Sequence, residues 1–332
     1  MKSSSLLPVL TVLMLSACGG GTATDEAPSV TFTIDDSRIT TSGVSAGGYM
    51  AGQLHIAHSS VFDGVGIIAA GPYYCASGSM QTGLGPCMKG GDLRLESLWA
   101  YLVEQAAAGR TDSTDNLADD TAWIFLGAND EIINKDVTDA ASEFYGQYLA
   151  GDAIVYVDDI EAPHGMPTID AGVACDAVEA PYLNACGYDA AGELLKTLNG
   201  TLEPRTTATG ELISIPQPGG EDADMLATAL LYVPQACASG EPCGVHVALH
   251  GCQQSTEFID NAFAAGAGYN EWAESNRLLV LYPQVASSKM APLNPLGCWD
   301  WWGYTGDGYA TRSGAQIASI MATLESLRGA NE

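Results

Sequence analysis

Gly43-Val44-Ser45-Ala46-Gly47 sets a serine between two glycines. A strand-like run, Arg38-Ile39-Thr40-Thr41-Ser42, precedes it, and a helical stretch starts near Gly48-Tyr49-Met50. On such a sharp strand-to-helix turn the serine hydroxyl is pushed out of the backbone, where a base can reach it. The glycines are needed because strand and helix pass too close there for side chains. This is the chemistry of an oxygen nucleophile attacking a carbonyl, and it needs a base and an acid that orients the base. Where this turn is used, the partners follow in the order acid, then histidine, on loops just past strand ends.

Two residues meet that requirement. Asp130 follows the buried-strand run Thr121 to Gly127, in Gly127-Ala128-Asn129-Asp130-Glu131. His164 follows the run Ala153 to Val157, in Ala162-Pro163-His164-Gly165-Met166. The rivals are weaker. His55 and His58 fall on the helix after the turn, and His246 falls inside a strand-like run, so these three read as structural. Asp158 and Asp159 have no strand of their own to present them. Glu131 stands one residue farther from the strand end than Asp130. The expected mechanism has His164 take the Ser45 proton during attack, Asp130 hold the imidazole tautomer, and an acyl-enzyme form and hydrolyse.

The tetrahedral intermediate needs two preorganised donors. One is expected to be the backbone N–H of Ala46. The other is signalled by Leu249-His250-Gly251-Cys252-Gln253-Gln254-Ser255, which is similar to the His-Gly oxyanion loop of lipases and esterases. That loop usually precedes the serine, and here it follows the histidine. The usual order runs through two antiparallel strands, the His-Gly loop, a strand, a helix, the nucleophile strand, then acid and histidine. Gly210 to Leu327 carries the first part of that order and Asp35 to about Leu198 the rest, so the chain reads as circularly permuted. Permutation is tolerated where chain ends lie close, so the final helix, Gln316 to Leu327, is expected to pack just before the first strand.

The elements agree with an α/β-hydrolase architecture. Buried-strand runs (65–70, 121–127, 153–157) alternate with helical runs (93–108, 137–149, 190–198), which points to a mostly parallel central sheet in a single domain. The second half adds a strand pair (212–215, 229–233), strands at 244–249 and 278–282, and a helix at 261–275.

The N-terminus reads as a processing signal over residues 1–17. Lys2 is followed by a short apolar core, Leu6 to Leu15, too short to span a bilayer permanently. Leu15-Ser16-Ala17-Cys18 resembles a bacterial lipobox, with Cys18 as the lipidated residue, and 18–28 reads as a flexible tether to a catalytic domain over 29–332. An ordinary secretory signal with Cys18 incidental is the alternative. Either way the protein is exported, to the medium or to the outer membrane at the cell surface.

Nine cysteines are present, and setting Cys18 aside leaves eight: Cys75, Cys87, Cys175, Cys186, Cys237, Cys243, Cys252 and Cys298. An even number suits an oxidising compartment, although eight cysteines allow about 105 pairings. Proximity favours Cys75–Cys87, Cys175–Cys186 and Cys237–Cys243, which leaves Cys252 with Cys298. A zinc site is the alternative to these bridges, but no C-x-x-C spacing or histidine cluster supports one. Forty acidic against twelve basic side chains give a net charge of −28, which argues against nucleic acid and anionic membrane surfaces as partners. A monomer is expected.

Taken together, Gly43 to Met50, the Asp130 and His164 loops, Leu249 to Gln254, and Asn294-Pro295-Leu296-Gly297-Cys298-Trp299-Asp300-Trp301-Trp302 resemble secreted poly(3-hydroxybutyrate) depolymerases of the circularly permuted catalytic type. The resemblance covers nearly all of the mature chain. It implies a Ser45–His164–Asp130 triad, Cys252 N–H as second oxyanion donor, a crevice for a neutral polyester or hydroxyalkanoate oligomer, and no metal or organic cofactor. Asn294 and Trp299 are implied to lie near substrate, with Tyr49 and Trp302 as further candidates. Two features depart from the family: no linker and polymer-binding domain follows the catalytic part, and Cys18 points to a tether rather than release. Amorphous polymer or soluble oligomers are therefore the expected substrates rather than bulk crystalline polymer. An esterase for feruloyl or acetyl groups, or a surface lipoprotein that binds polymer without cleaving it, are the competing readings.

Overall fold

The computed structural model describes Met1 and residues 31–328. The signal segment, Cys18 and the tether lie outside the described residues. The strands, in chain order, are β1 (Ile34–Val44), β2 (Gly64–Ile68), β3 (Thr121–Phe125), β4 (Ile154–Val157), β5 (Met166–Thr168), β6 (Val173–Ala174), β7 (Leu183–Ala185), β8 (Glu211–Pro216), β9 (Thr228–Val233), β10 (Cys243–Leu249) and β11 (Leu278–Tyr282). Eight of them form the central sheet in the order β4-β3-β2-β1-β10-β11-β9-β8.

Only β9 runs against its neighbours; every other pairing in that sheet is parallel. A parallel sheet must be covered on both faces, and its inner strands are correspondingly apolar throughout. All seven residues of β10 and all five of β2 and of β11 are buried. Side chains alternate along a strand, and the two faces have different covers. At Gly66 a side chain would meet Leu194 of the helix Ala190–Asn199, whereas the Ile67 side chain next to it reaches Gly52 of the helix α1 (Ala46–Ala57).

The sheet order explains the permuted motifs. From one edge it runs through the antiparallel pair β8 and β9, then β11, then β10 with the His-Gly loop at its end, then the serine strand β1, and β2 to β4. Opening the chain between β7 and β8 and joining its ends would restore the usual order. The described ends do meet: Phe32 N–H donates to Leu327 O at 2.8 Å, and Arg328 pairs with Asp36. The final helix, Ala315–Ser326, therefore leads into β1 in space.

Four disulfides join Cys75 to Cys87, Cys175 to Cys186, Cys237 to Cys243 and Cys252 to Cys298. Two features differ from the sequence reading. The helix expected over 261–275 is split into Ala262–Gly266 and Tyr269–Asn276, because Gly268 between them takes φ +94°. The segment after His164 holds a small sheet in the order β5-β7-β6, whose strands of two or three residues are too short to show a pattern.

Candidate active site

Ser45 sits at φ 57° and ψ −121°, outside the regions comfortable for a residue with a Cβ. Such a conformation costs about 1–3 kcal/mol and persists only where its surroundings impose it. A Cβ at Gly43 would stand 2.1 Å from Gly47 O, and one at Gly47 would stand 2.3 Å from Leu249 O and 2.4 Å from His250 O. Backbone therefore touches backbone on both sides of the serine. The Ser45 N–H donates to Ile68 O at 2.8 Å, which fixes the turn to the end of β2.

The acid and histidine loops are joined to one another in the same way. A Cβ at Gly127 would meet Ala162 O at 2.1 Å, Ala128 N–H donates to Ile160 O at 2.7 Å, and Asn129 N–H to Ala162 O at 3.1 Å. This contact brings Asp130 to His164: Asp130 Oδ2 lies 2.8 Å from Nδ1, and Nε2 lies 2.9 Å from Ser45 Oγ. The other carboxylate oxygen, Oδ1, accepts from Ile132 N–H at 2.8 Å and Ile133 N–H at 2.9 Å. The carboxylate is fully buried and the imidazole 16% exposed. The arrangement can move the serine proton to the imidazole and stabilise the cation that results.

Among the described residues, none of the rivals is hydrogen-bonded to Ser45 or His164. His55 bridges Asp120 at 3.0 Å and Tyr145 at 3.1 Å. His58 is half-buried, and the desolvation lowers its pKa to about 4. His246 contacts Thr40 and Ser42 behind β1. Asp158 pairs with Lys135 at 3.0 Å. Asp159 and Glu131 are exposed, and Glu131 lines a cavity of about 410 Å³ beside His164.

The His-Gly loop abuts the serine, since a Cβ at Gly251 would lie 3.3 Å from Val44 O and 3.5 Å from Ser45 Cβ. Neither Ala46 N–H nor Cys252 N–H donates to a protein acceptor among the described residues. Both residues line the space next to Ser45. Ala46 also opens the twelve-residue helix α1, whose N-terminal dipole favours negative charge.

Two apolar cavities of about 330 and 310 Å³ meet at Ser45 and share Met88, Cys252 and Leu296. They form one crevice that passes Ser45 on both sides. Tyr182 and Val178 line one arm; Tyr49, Trp301, Trp302, Leu293 and Asn294 line the other. Met80, Leu84, Ile132, Val178, Leu293 and Leu296 are exposed around its mouth. A larger cavity of about 610 Å³, lined by Phe32, Gly210 and Val233 among others, has no nucleophile–base pair and lies away from the site.

Trp299 corrects the expectation from the sequence. It is 0% exposed, lines neither arm, and its indole N–H donates to His250 O at 2.9 Å. The crevice aromatic that the sequence reading passed over is Trp301, which stacks on Tyr49 with centroids 4.3 Å apart and planes at 11°. Asn294 reaches the crevice wall but spends its amide on the chain, accepting from Cys298 N–H at 2.9 Å and donating to Cys298 O at 2.8 Å. The wall's path is set by Asp300. Its carboxylate accepts from the backbone N–H groups of Trp302, Gly303, Tyr304 and Thr305 and from the Thr305 hydroxyl. A five-donor turn of this kind has no short sequence pattern that would reveal it. Among the described residues, no group of three His, Cys, Asp or Glu side chains is arranged to hold a metal.

No family model matches the chain. It is 37% identical over 319 residues to a poly(3-hydroxybutyrate) depolymerase of Delftia acidovorans, across 94% of this chain and 64% of that protein. It thus spans just under two thirds of that relative's length. It is 35% identical over 312 residues to a polyhydroxybutyrate depolymerase of Talaromyces funiculosus, across 89% of this chain and 91% of that one. Among solved structures, it matches the PHB depolymerase from Penicillium funiculosum with a TM-score of 0.85 and 34% identity, over 90% of this chain and 98% of that one. A serine-to-alanine variant of a PHB depolymerase, complexed with an R3HB trimer, matches with the same TM-score, identity and coverage. The fold, the permuted order of its motifs and these likenesses agree: the chain belongs to the poly(3-hydroxybutyrate) depolymerase family.

Proposed function

We propose that this protein hydrolyses the ester bonds of poly(3-hydroxybutyrate) or its oligomers through an acyl-enzyme on Ser45. The observation that carries this reading is the hydrogen-bonded chain from Ser45 Oγ through His164 to Asp130 at the floor of an apolar crevice open on both sides. A neutral polyester offers methyl groups and ester carbonyls. Both suit walls of Met88, Leu296, Tyr49 and Trp301 with few polar groups. A crevice with two arms accepts chain on the acyl and the alcohol side of the scissile bond. One structural neighbour is complexed with an R3HB trimer, which supports the same substrate class here.

In the first step Ser45 Oγ bonds to the ester carbonyl carbon while His164 Nε2 takes the hydroxyl proton. Asp130, held by two backbone donors, keeps the other proton on Nδ1. The oxyanion is received by the N–H groups of Ala46 and Cys252, each such donor being worth roughly 3 kcal/mol of barrier. Collapse breaks the bond to the alcohol oxygen, which takes the proton from Nε2. Water, deprotonated by Nε2, then attacks the acyl-enzyme, and Ser45 leaves with the proton returned.

The four disulfides fit an exported protein. The reading extends to a catalytic domain over 29–332, tethered through an acylated Cys18 and acting as a monomer. Mass spectrometry of the mature N-terminus tests the anchor, and a soluble protein beginning elsewhere would refute it. The main test is clearing of a suspension of the polymer with release of monomer or dimer, absent in Ser45→Ala. Release of ferulate or acetate from polysaccharide, with no action on polymer or trimer, would replace the polyester by those esters.

A further inference from the structure

The His-Gly loop holds a second buried histidine that the proton relay does not use. His250 is 0% exposed. Its Nδ1 lies 2.7 Å from Gly251 O, and its Nε2 receives the N–H of Val285 at 3.4 Å. The Val285 N–H can only donate, so Nε2 is the acceptor and Nδ1 carries the proton. Trp299 fixes the residue from its backbone side by donating to His250 O, and the Trp299 and Phe263 rings flank the imidazole at 5.3 and 6.3 Å.

The carbonyl that Nδ1–H engages belongs to the same peptide unit as the Cys252 N–H. In a planar trans peptide the C=O and N–H point in opposite directions. A carbonyl drawn inward to His250 therefore turns the Cys252 N–H outward, to the crevice that Cys252 lines. Gly251 is held on its other side too, since its N–H donates to Gln254 Oε1 at 2.7 Å, and Gln254 in turn donates to Pro181 O at 2.8 Å.

We propose that His250 is a positioning residue for the oxyanion hole: its Nδ1–H, bonded to the Gly251 carbonyl, sets the plane of the Gly251–Cys252 peptide and so aims the Cys252 N–H at the developing negative charge. The inference rests on the proposed serine mechanism and on Cys252 as its second donor. Donation to the carbonyl also polarises that peptide and strengthens its N–H as a donor. Burial lowers the His250 pKa to about 4, so the ring stays neutral where serine chemistry operates and brings no competing charge.

His250→Phe keeps an aromatic ring among Trp299 and Phe263 but removes the donor, whereas His250→Asn retains a donor near the position of Nδ1. With nitrophenyl butyrate, His250→Phe should lower kcat by about 10- to 100-fold, less than the ~10²–10³ for a donor lost outright. KM should stay within about two-fold. The affinity of an alkylboronic acid, whose tetrahedral adduct places an oxygen in the hole, should fall by the same factor as kcat. His250→Asn should recover most of both. Unchanged kcat and boronate affinity in His250→Phe, or equal losses in the two variants, would overturn the proposal. A simple ester makes the comparison independent of polyester as substrate; a wild type with no Ser45-dependent turnover would instead sink the proposed function. One measurement needs no variant: with five histidines in the chain, ¹⁵N shifts of the labelled rings should show His250 protonated on Nδ1 and bare on Nε2. The reverse tautomer would overturn the proposal whatever the kinetics.

Discussion

Gly47 stands directly against the carbonyl oxygen of Leu249, where a Cβ would come to 2.3 Å. This contact joins the start of α1 to the end of the strand that carries the His-Gly loop. It sets the distance between the turn holding Ser45 and the loop holding Cys252. Gly47→Ala should cost about 1–3 kcal/mol, as overpacking in a close-packed core does, and should cut kcat on nitrophenyl butyrate at least ten-fold. Gly52→Ala, five residues on, is the control. Its nearest atoms would be at 3.8 Å, and alanine in mid-helix is favoured by roughly 0.5–1 kcal/mol, so it should leave kcat unchanged and raise the melting temperature slightly. A harmless Gly47→Ala would mean the two segments are not coupled.

Asp130→Asn should fold normally and lose about 10³–10⁴ in kcat. The amide oxygen would face the N–H groups of Ile132 and Ile133, as Asp130 Oδ1 does now. Its NH₂ would then face His164 Nδ1, forcing the proton to Nε2 and removing the base. Glu131→Gln should stay within about two-fold of wild type. Steady-state kinetics on a soluble ester decides; a crippled Glu131→Gln beside a mild Asp130→Asn would reverse the assignment of the acid.

Trp299 and Trp302 should separate stability from substrate grip. Trp299→Ala empties a fully buried site and should cost about 3–5 kcal/mol. It should impair turnover of a hydroxybutyrate trimer and of nitrophenyl butyrate alike, because His250 O loses its bond. Trp302 is half-buried in the crevice wall, so Trp302→Ala should raise KM for the trimer at least five-fold and change kcat on the short ester little. The opposite pattern would return Trp299 to the substrate.

His246 should make the protein sensitive to acid. It is buried between Thr40, Ser42 and Tyr269, and burial lowers its pKa to about 3. The unfolded chain binds a proton below about pH 6.5 that the folded chain refuses. Stability from this group is therefore fully present above pH 6.5 and lost as pH falls toward 3. The difference in unfolding free energy between wild type and His246→Gln should shift against wild type by roughly 2 kcal/mol between pH 6.5 and 4.5. Urea melts at several pH values measure it; parallel curves would place the titration elsewhere.

Salt should stabilise this protein. Forty acidic side chains against twelve basic ones give −28, and self-repulsion at that charge favours the expanded chain. Raising NaCl from 0.05 to 0.5 M shortens the screening length well below 10 Å and should add about 1–2 kcal/mol, or roughly 2–6 °C in melting temperature. A melting temperature that falls with salt would show that the ion pairs outweigh the excess charge.

Much of this protein is written in local pattern. The glycines around Ser45 answer a steric demand that any such turn makes, so five residues were enough to propose Ser45 as nucleophile. That Asp130 and His164 would come together beside Ser45 could be read because buried parallel strands are continuous apolar runs, and a polar residue just past such a run lies at the sheet's edge. The permuted order followed from finding Leu249-His250-Gly251 after the histidine rather than before the serine. What local pattern could not decide was which side chains of Trp299-Asp300-Trp301-Trp302 face the crevice. That segment has no helical or strand period, and its course depends on one carboxylate collecting donors from Trp302 to Thr305. The turn sends Trp301 against Tyr49 and leaves Trp299 beneath His250. The role argued for His250 depends likewise on tertiary structure, since the backbone N–H of Val285, far along the chain, decides which ring nitrogen holds the proton. Spacing in sequence selects residues by type and order; the direction in which a side chain or a peptide N–H points is fixed by contacts with residues far away in the chain.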